Sequence, residues 1–213
     1  MSFDQKWEID IYRKGKQINY YPFDNVVSDV SSIFKNLNVS KLNALDLGCG
    51  TGNNTKFLID FGFKKVIGVD GSKAALLVAK KRIRSKKCQF LKTNFNNMKF
   101  KKNYFNLILD RGSLTHNNKD QIKKNIKKIH NSLKKNGFFI SHMFNKKHTE
   151  FTKSTFFKKS MNLKKPINSS FFDKAEINKI FRSFKIISIR DSNRKELKTG
   201  YNESFWHLVC QKK

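Results

Sequence analysis

The stretch ALDLGCGTGNNT, residues 44–55, decides how this chain folds. It is a glycine-rich turn set directly after a short apolar run and directly before a helical pattern, so it reads as strand, tight turn and helix start. Gly48, Gly50 and Gly52 let the backbone turn sharply and approach a ligand with no Cβ in the way. The spacing argues against two phosphate-binding loops. A dinucleotide-binding turn wants glycine at its first, third and sixth positions, and counting from Gly48 the sixth is Asn53. A Walker loop wants Gly-Lys followed by Ser or Thr, and none follows.

Outward from this loop the hydrophobic period alternates. Residues 43–48, 65–70, 87–92, 104–110, 137–144, 184–190 and 205–210 read as strands, most of them short apolar runs. Helical spacing falls at 53–61, 73–84, 119–134, where Ile122, Ile126, Ile129 and Leu133 share a face, and 173–183. Strand and helix in alternation predict an α/β fold: a doubly wound, mostly parallel seven-stranded sheet with helices on both faces. Two segments sit outside the rhythm. Residues 1–38 form an N-terminal helical extension, with a helix expected after Pro22, and residues 145–170 form an insertion within the domain spanning 39–213. Ligands of open α/β sheets bind at the carboxyl ends of the strands, so either segment is a candidate lid, with a plain surface wrap as the competing reading.

The formal charge of +29 points first to a polyanion. Of the 45 basic residues, however, only seven are Arg and 38 are Lys, in a chain also rich in Asn and Phe. Lys, Asn and Phe have A/T-rich codons, so coding bias accounts for much of the basicity, and Arg, the better fork for bases and phosphates, is scarce. A hydrophobic content of 38% supports a core, and no apolar run approaches the roughly 18 residues a membrane helix needs. The N-terminus carries acids and no apolar signal region, and Cys49, Cys88 and Cys210 are odd in number and widely spaced, so a reduced, cytoplasmic setting is expected. No His/Asp/Glu cluster has metal-ligand spacing, so no metal is expected. Oligomeric state is open between monomer and homodimer.

The loop with its preceding acid, Asp46-Leu47-Gly48-Cys49-Gly50-Thr51-Gly52, resembles the first motif of the class I, Rossmann-like S-adenosylmethionine-dependent methyltransferases. The resemblance implies S-adenosylmethionine as cofactor and S-adenosylhomocysteine as product. It places the cofactor on Asp46, Gly48, Cys49, Gly50, Gly52 and Asn53 of the loop. It adds Asp70, Gly71 and Ser72 at the end of the second strand, where an acid accepts from both ribose hydroxyls. After the third strand the family's acid corresponds best to Asn94, followed by Phe95, and the fourth strand ends at Asp110 between cofactor and acceptor. Cys49 reads as a small packing residue rather than a nucleophile. WEIDIYRKGKQINYYPFDNVVS (7–28), FNLILDRGSLTH (105–116) and NESFWHLV (202–209) are similar to a small bacterial subgroup with a Tyr-Pro N-terminal segment and an Asp-Arg-Gly-Ser-Leu-Thr fourth motif, linked to modification of small molecules or surface sugars.

Methyl transfer is an in-line displacement that needs positioning and exclusion of water, with a base only for hydroxyl or protonated amine acceptors. His116 is the first candidate base and Arg111 a candidate clamp for an anionic acceptor, beside Asp110. Tyr12, Tyr20, Tyr21, His142 and His148 are candidate substrate-binding residues; their competing reading is packing. O- or N-methylation of a small, anionic or sugar-like metabolite is thus expected. The alternatives are an RNA or DNA methyltransferase using the 146–165 segment with its seven Lys, and a non-catalytic S-adenosylmethionine-binding protein. The nucleic-acid reading lacks an Asn/Asp-Pro-Pro-aromatic motif and a Pro-Cys nucleophile, and the third conflicts with the intact Asp46, glycine loop and Asp70.

Overall fold

The computed structural model describes residues 3–94, 96–152 and 167–213. Seven strands form one sheet in the order β3-β2-β1-β4-β5-β7-β6. They are β1 (Asn43–Leu47), β2 (Lys65–Asp70), β3 (Cys88–Lys92), β4 (Phe105–Arg111), β5 (Leu133–Phe144), β6 (Phe184–Lys195) and β7 (Asn202–Lys212). The first five are parallel, and β7 runs antiparallel between β5 and β6. Between them lie α1 (Asp24–Phe34), α2 (Asn53–Asp60), α3 (Lys73–Arg82), α4 (Lys119–Ser132), the single turn α5 (Thr149–Thr152) and α6 (Lys174–Ile180). The expected doubly wound sheet is therefore present.

Each helix is set by its apolar face. Ile122, Ile126 and Ile129 of α4 and Ile177 of α6 pack with Leu45, Ile108 and Phe139 on one face of the sheet. Val26, Val30 and Phe34 of α1 and Leu58 of α2 pack with Ala44, Leu109 and Ile140 on the other. Neighbours along a strand, such as Ile108 and Leu109, thus serve opposite faces, as the two-residue period of a strand requires. Because α1 shares this second core, residues 24–34 are built into the sheet layer rather than laid over it.

Helix ends follow local chemistry. Ser72 caps α3 by accepting from Ala75 N, and Asn118 caps α4 by accepting from Gln121 N. Asp173 and Glu176 form a reciprocal capping box, so α6 begins one residue later than the period suggests and stops at Ile180, short of the expected 183. Three strands outrun their apolar signal: β5 begins at Leu133, expected as the last apolar position of a helix that instead stops at Ser132, and β6 and β7 extend as a paired polar hairpin, Arg190 to Lys195 against Asn202 to His207. Of the 145–170 insertion, residues 153–166 fall outside the described residues. Its first part returns to the sheet through a bridge between Asn145 and Phe172.

The N-terminal extension adds a short π-helical segment, Trp7–Tyr12, against α3. Among the described residues no helix is long and apolar enough to cross a membrane, and no group of three His, Cys, Asp or Glu could hold a metal ion.

Candidate active site

A cavity of 190 Å³ opens at the carboxyl ends of β1, β2 and β4, where the extension meets the glycine loop. Loop and strand ends are locked together before any ligand is considered. Gly48 has φ +69°, and a Cβ there would lie 2.2 Å from Cβ of Ser113. Ser113 in turn donates through Oγ to Leu47 O at 3.0 Å and to the Asp110 carboxylate. The Asp110 carboxylate also accepts from Ser113 N at 2.9 Å and Leu114 N at 3.1 Å. Asp110 is fully buried and does not line the cavity, so its carboxylate is spent on holding the β4 turn. Burial pushes its pKa up to about 6.

Asp46 is likewise a brace. It is buried behind the loop, accepts from Thr55 Oγ1 at 2.6 Å, and burial, with smaller contributions from Asp70 and Asp110, pushes its pKa up to about 7. Gly52 caps α2 and Ser72 caps α3, and neither faces the cavity.

Asp70 does face it. One carboxylate oxygen accepts from Gly50 N at 2.9 Å and the other from Ser72 N at 2.8 Å, which fixes the carboxylate at the rim. Burial raises its pKa against these bonds. Gly48, Cys49, Gly50 and Asn53 line the loop side, with Gly71 and Asn94 beyond Asp70. Side chains would intrude at two of these positions: a Cβ on Gly50 would stand 2.8 Å from the Tyr12 hydroxyl, and one on Gly71 would stand 2.2 Å from the Phe3 ring. Asn94 accepts from Asn96 N at 3.0 Å. Burial raises the Cys49 thiol far above its ordinary pKa, which suits packing and not nucleophilic attack. Phe95 lies outside the described residues.

His116 and Arg111 also line the cavity. The His116 ring sits edge-on to Trp7 at 4.9 Å and to Phe144 at 5.4 Å, with Nδ1 3.1 Å from Ser169 Oγ. Burial pushes its pKa down to about 4, so it is neutral at pH 7. Of the three tyrosines, only Tyr12 reaches the cavity. Tyr20 and Tyr21 are 63% and 85% exposed, and neither lines this cavity. His142 is buried on the α1 side, stacked on His207 at 4.3 Å and 4.0 Å from Asp29. His148 is packed against Phe144 and Tyr201 and accepts from Glu150 N at 3.2 Å. Neither lines the cavity.

Sequence reasoning missed the backbone of the extension. Arg82 donates to Asn19 O at 2.7 Å, Tyr20 O at 2.8 Å and Thr51 O at 3.1 Å, while Asn53 Nδ2 donates to Tyr21 O at 2.9 Å. Residues 19–21 are thereby strapped to the glycine loop through their carbonyls, which no side-chain pattern reports. A second anchor is Glu8, whose buried carboxylate accepts from Ser72 Oγ at 2.6 Å and Ala74 N at 3.1 Å. Burial works to raise its pKa, but these bonds and Arg13 outweigh it and hold it low. Glu8→Gln is expected to loosen the segment. Amide exchange of residues 5–12 should accelerate about tenfold, the equivalent of roughly 1.4 kcal/mol for a weakened charge-assisted bond. Unchanged protection would show that Glu8 is not the anchor.

Residues 44–137 match a family model described as a methyltransferase domain. Among curated proteins, none matches the sequence. Several solved structures share the fold. A SAM-dependent methyltransferase from Anabaena variabilis is 21% identical with TM-score 0.70, covering 100% of this chain and 96% of its own. One from Methanosarcina mazei is 19% identical with TM-score 0.67, covering 85% and 96%. The N-methyltransferase NodS from Bradyrhizobium japonicum, solved with S-adenosyl-L-homocysteine, is 14% identical with TM-score 0.69, covering 92% and 90%.

Proposed function

We propose that this S-adenosylmethionine-dependent methyltransferase delivers its methyl group to a small molecule held under the extension, with His116 as general base for a hydroxyl or amine acceptor. The observation that carries the reading is the roof: Trp7, Tyr12, Gln17, Asn19 and Phe23 of the extension line the same cavity as the glycine loop. These residues give the cavity apolar and amide cover, and Arg111 is the sole Lys or Arg among its lining residues, whereas phosphate-backbone binding calls for several cations.

The residues present fit the cofactor. Gly48, Gly50 and Gly71 bring bare backbone to the cavity, and Asp70 presents a fixed carboxylate at the rim. Gly48, Cys49, Gly50, Asn53, Asp70, Gly71 and Asn94 would hold it, with Asp46, Gly52, Ser72 and Asp110 bracing those contacts from behind. When bound, S-adenosylmethionine supplies an electrophilic methyl group on a sulfonium. The chain's own work is to orient the acceptor and exclude water, which Trp7, Phe23 and Phe144 do with apolar surface. His116, held neutral by burial, takes the proton that leaves the acceptor atom. The subgroup likeness and the three free cysteines support a cytoplasmic enzyme acting on a metabolite.

His116→Ala is expected to lower turnover about 10–100-fold, toward the low end of base catalysis because a pKa near 4 makes a weak base, with S-adenosylhomocysteine affinity unchanged. The neutral form is the active one, so activity in the wild type should persist below pH 6.5 and fall only as pH approaches about 4. An acid limb near 6.5, or an alanine variant as fast as wild type, removes His116 as the base. The acceptor class is tested by incubating the enzyme with tritium-methyl S-adenosylmethionine and fractionated cell extract. Label is expected in the small-molecule fraction, and label confined to RNA or DNA overturns the reading.

A further inference from the structure

We propose that Arg111 binds a carboxylate of the acceptor, so that the substrates are small monocarboxylic acids. The inference rests on the small-molecule reading above and narrows it.

Arg111 ends β4 and lines the cavity. Its guanidinium carbon lies 4.0 Å from the centroid of the Phe23 ring and 4.6 Å from that of Phe205. Two rings fix the plane of the fork while consuming none of its five N–H donors. Its ion-pair partner, Glu203, stands 3.7 Å from the guanidinium, longer than a hydrogen bond, and Nε is buried with no partner among the described residues. A buried donor left unmade is costly, and a planar carboxylate meeting two adjacent N–H groups is the ligand that repairs it.

Charge counting sharpens the class. The chain has 45 Lys and Arg, yet Arg111 is the only one among the cavity-lining residues. Two carboxylates line it as well: Asp70, which already serves Gly50 N and Ser72 N, and Asp4, which accepts from Lys6 N at 3.1 Å. One cation in a cavity that also carries Asp4 and Asp70 suits one negative charge placed at the fork, whereas a polyphosphate would call for several cations and be repelled by the two acids. His116 lines the same cavity.

The test uses benzoate and its neutral isostere benzamide as probes, titrated calorimetrically into full-length protein saturated with S-adenosylhomocysteine. Wild type should bind benzoate at least tenfold more tightly than benzamide. Arg111→Gln should erase that preference while S-adenosylhomocysteine affinity stays as in wild type. Glu203→Gln should raise benzoate affinity several-fold, because it removes the carboxylate that competes for the fork. Should Arg111→Gln fail to fold, Glu203→Gln decides alone. Equal affinities, no binding of either probe, a preference that survives Arg111→Gln, or no gain in Glu203→Gln would overturn the proposal. A methyl-transfer survey separates the two levels of inference. Label appearing only in neutral small molecules defeats the carboxylate clamp and spares the small-molecule reading, while label only in nucleic acid defeats both.

Discussion

Asp70→Ala should weaken S-adenosylhomocysteine binding by at least 100-fold in a calorimetric titration. Two losses combine. The carboxylate presented to the cavity disappears, and with it the acceptor for any hydroxyl pair of a bound nucleoside. Gly50 N and Ser72 N also lose their partner, so the loop that must approach the ligand is no longer held at the strand end. Bonds to a charged acceptor contribute about 1.5–3 kcal/mol each, and two of them correspond to roughly 100-fold or more. Asp70→Asn retains an acceptor at the site and should fall between the two. If alanine binds like wild type, Asp70 has no part in the cofactor site.

Gly48→Ala should be the most destabilising single-methyl change in the chain. At φ +69° an added side chain costs about 1–2 kcal/mol in backbone strain. The new Cβ would also fall 2.2 Å from Cβ of Ser113, a residue tied to Leu47 and Asp110, so it cannot swing aside without breaking those bonds. Overpacking adds about 1–3 kcal/mol. For a domain of this size the melting temperature should fall by roughly 10 °C in a thermal scan. Gly200→Ala is the matched control: φ is +70° and nothing lies within 4 Å of the added Cβ, so it carries backbone strain alone. Equal losses in the two variants would show that the contact with Ser113 is unimportant.

The sheet was readable from sequence because each central strand is an apolar run that the hydrophobic period isolates, as LILD and KVIGVD do. Lengths were least readable in the β6–β7 hairpin, where RDSNRK pairs through backbone while staying largely exposed and leaves no periodic trace. At the site, glycine spacing and Asp70 were visible because they sit on local motifs. The bracing role of Asp46 and Asp110 was not, since a strand-end carboxylate aimed at a ligand and one turned back onto a loop have the same sequence. Tyr20 and Tyr21 misled for a related reason. Their carbonyls are the parts that bind, and the rings project outward.

The strap across residues 19–21 also couples the extension to the glycine loop. Thr51 and Asn53, which hold it, belong to the same loop as Gly48 and Gly50, so the extension is tethered to the surface that the cofactor is expected to occupy. Coupling between sites is reciprocal: whatever the bound cofactor adds to the closing of the extension, the closed extension adds to the residence time of the cofactor. By the same reciprocity, an acceptor that contacts the extension should tighten the cofactor as much as the cofactor tightens it. The signature is synergy: each ligand's dissociation constant should fall by the same factor when the other is bound.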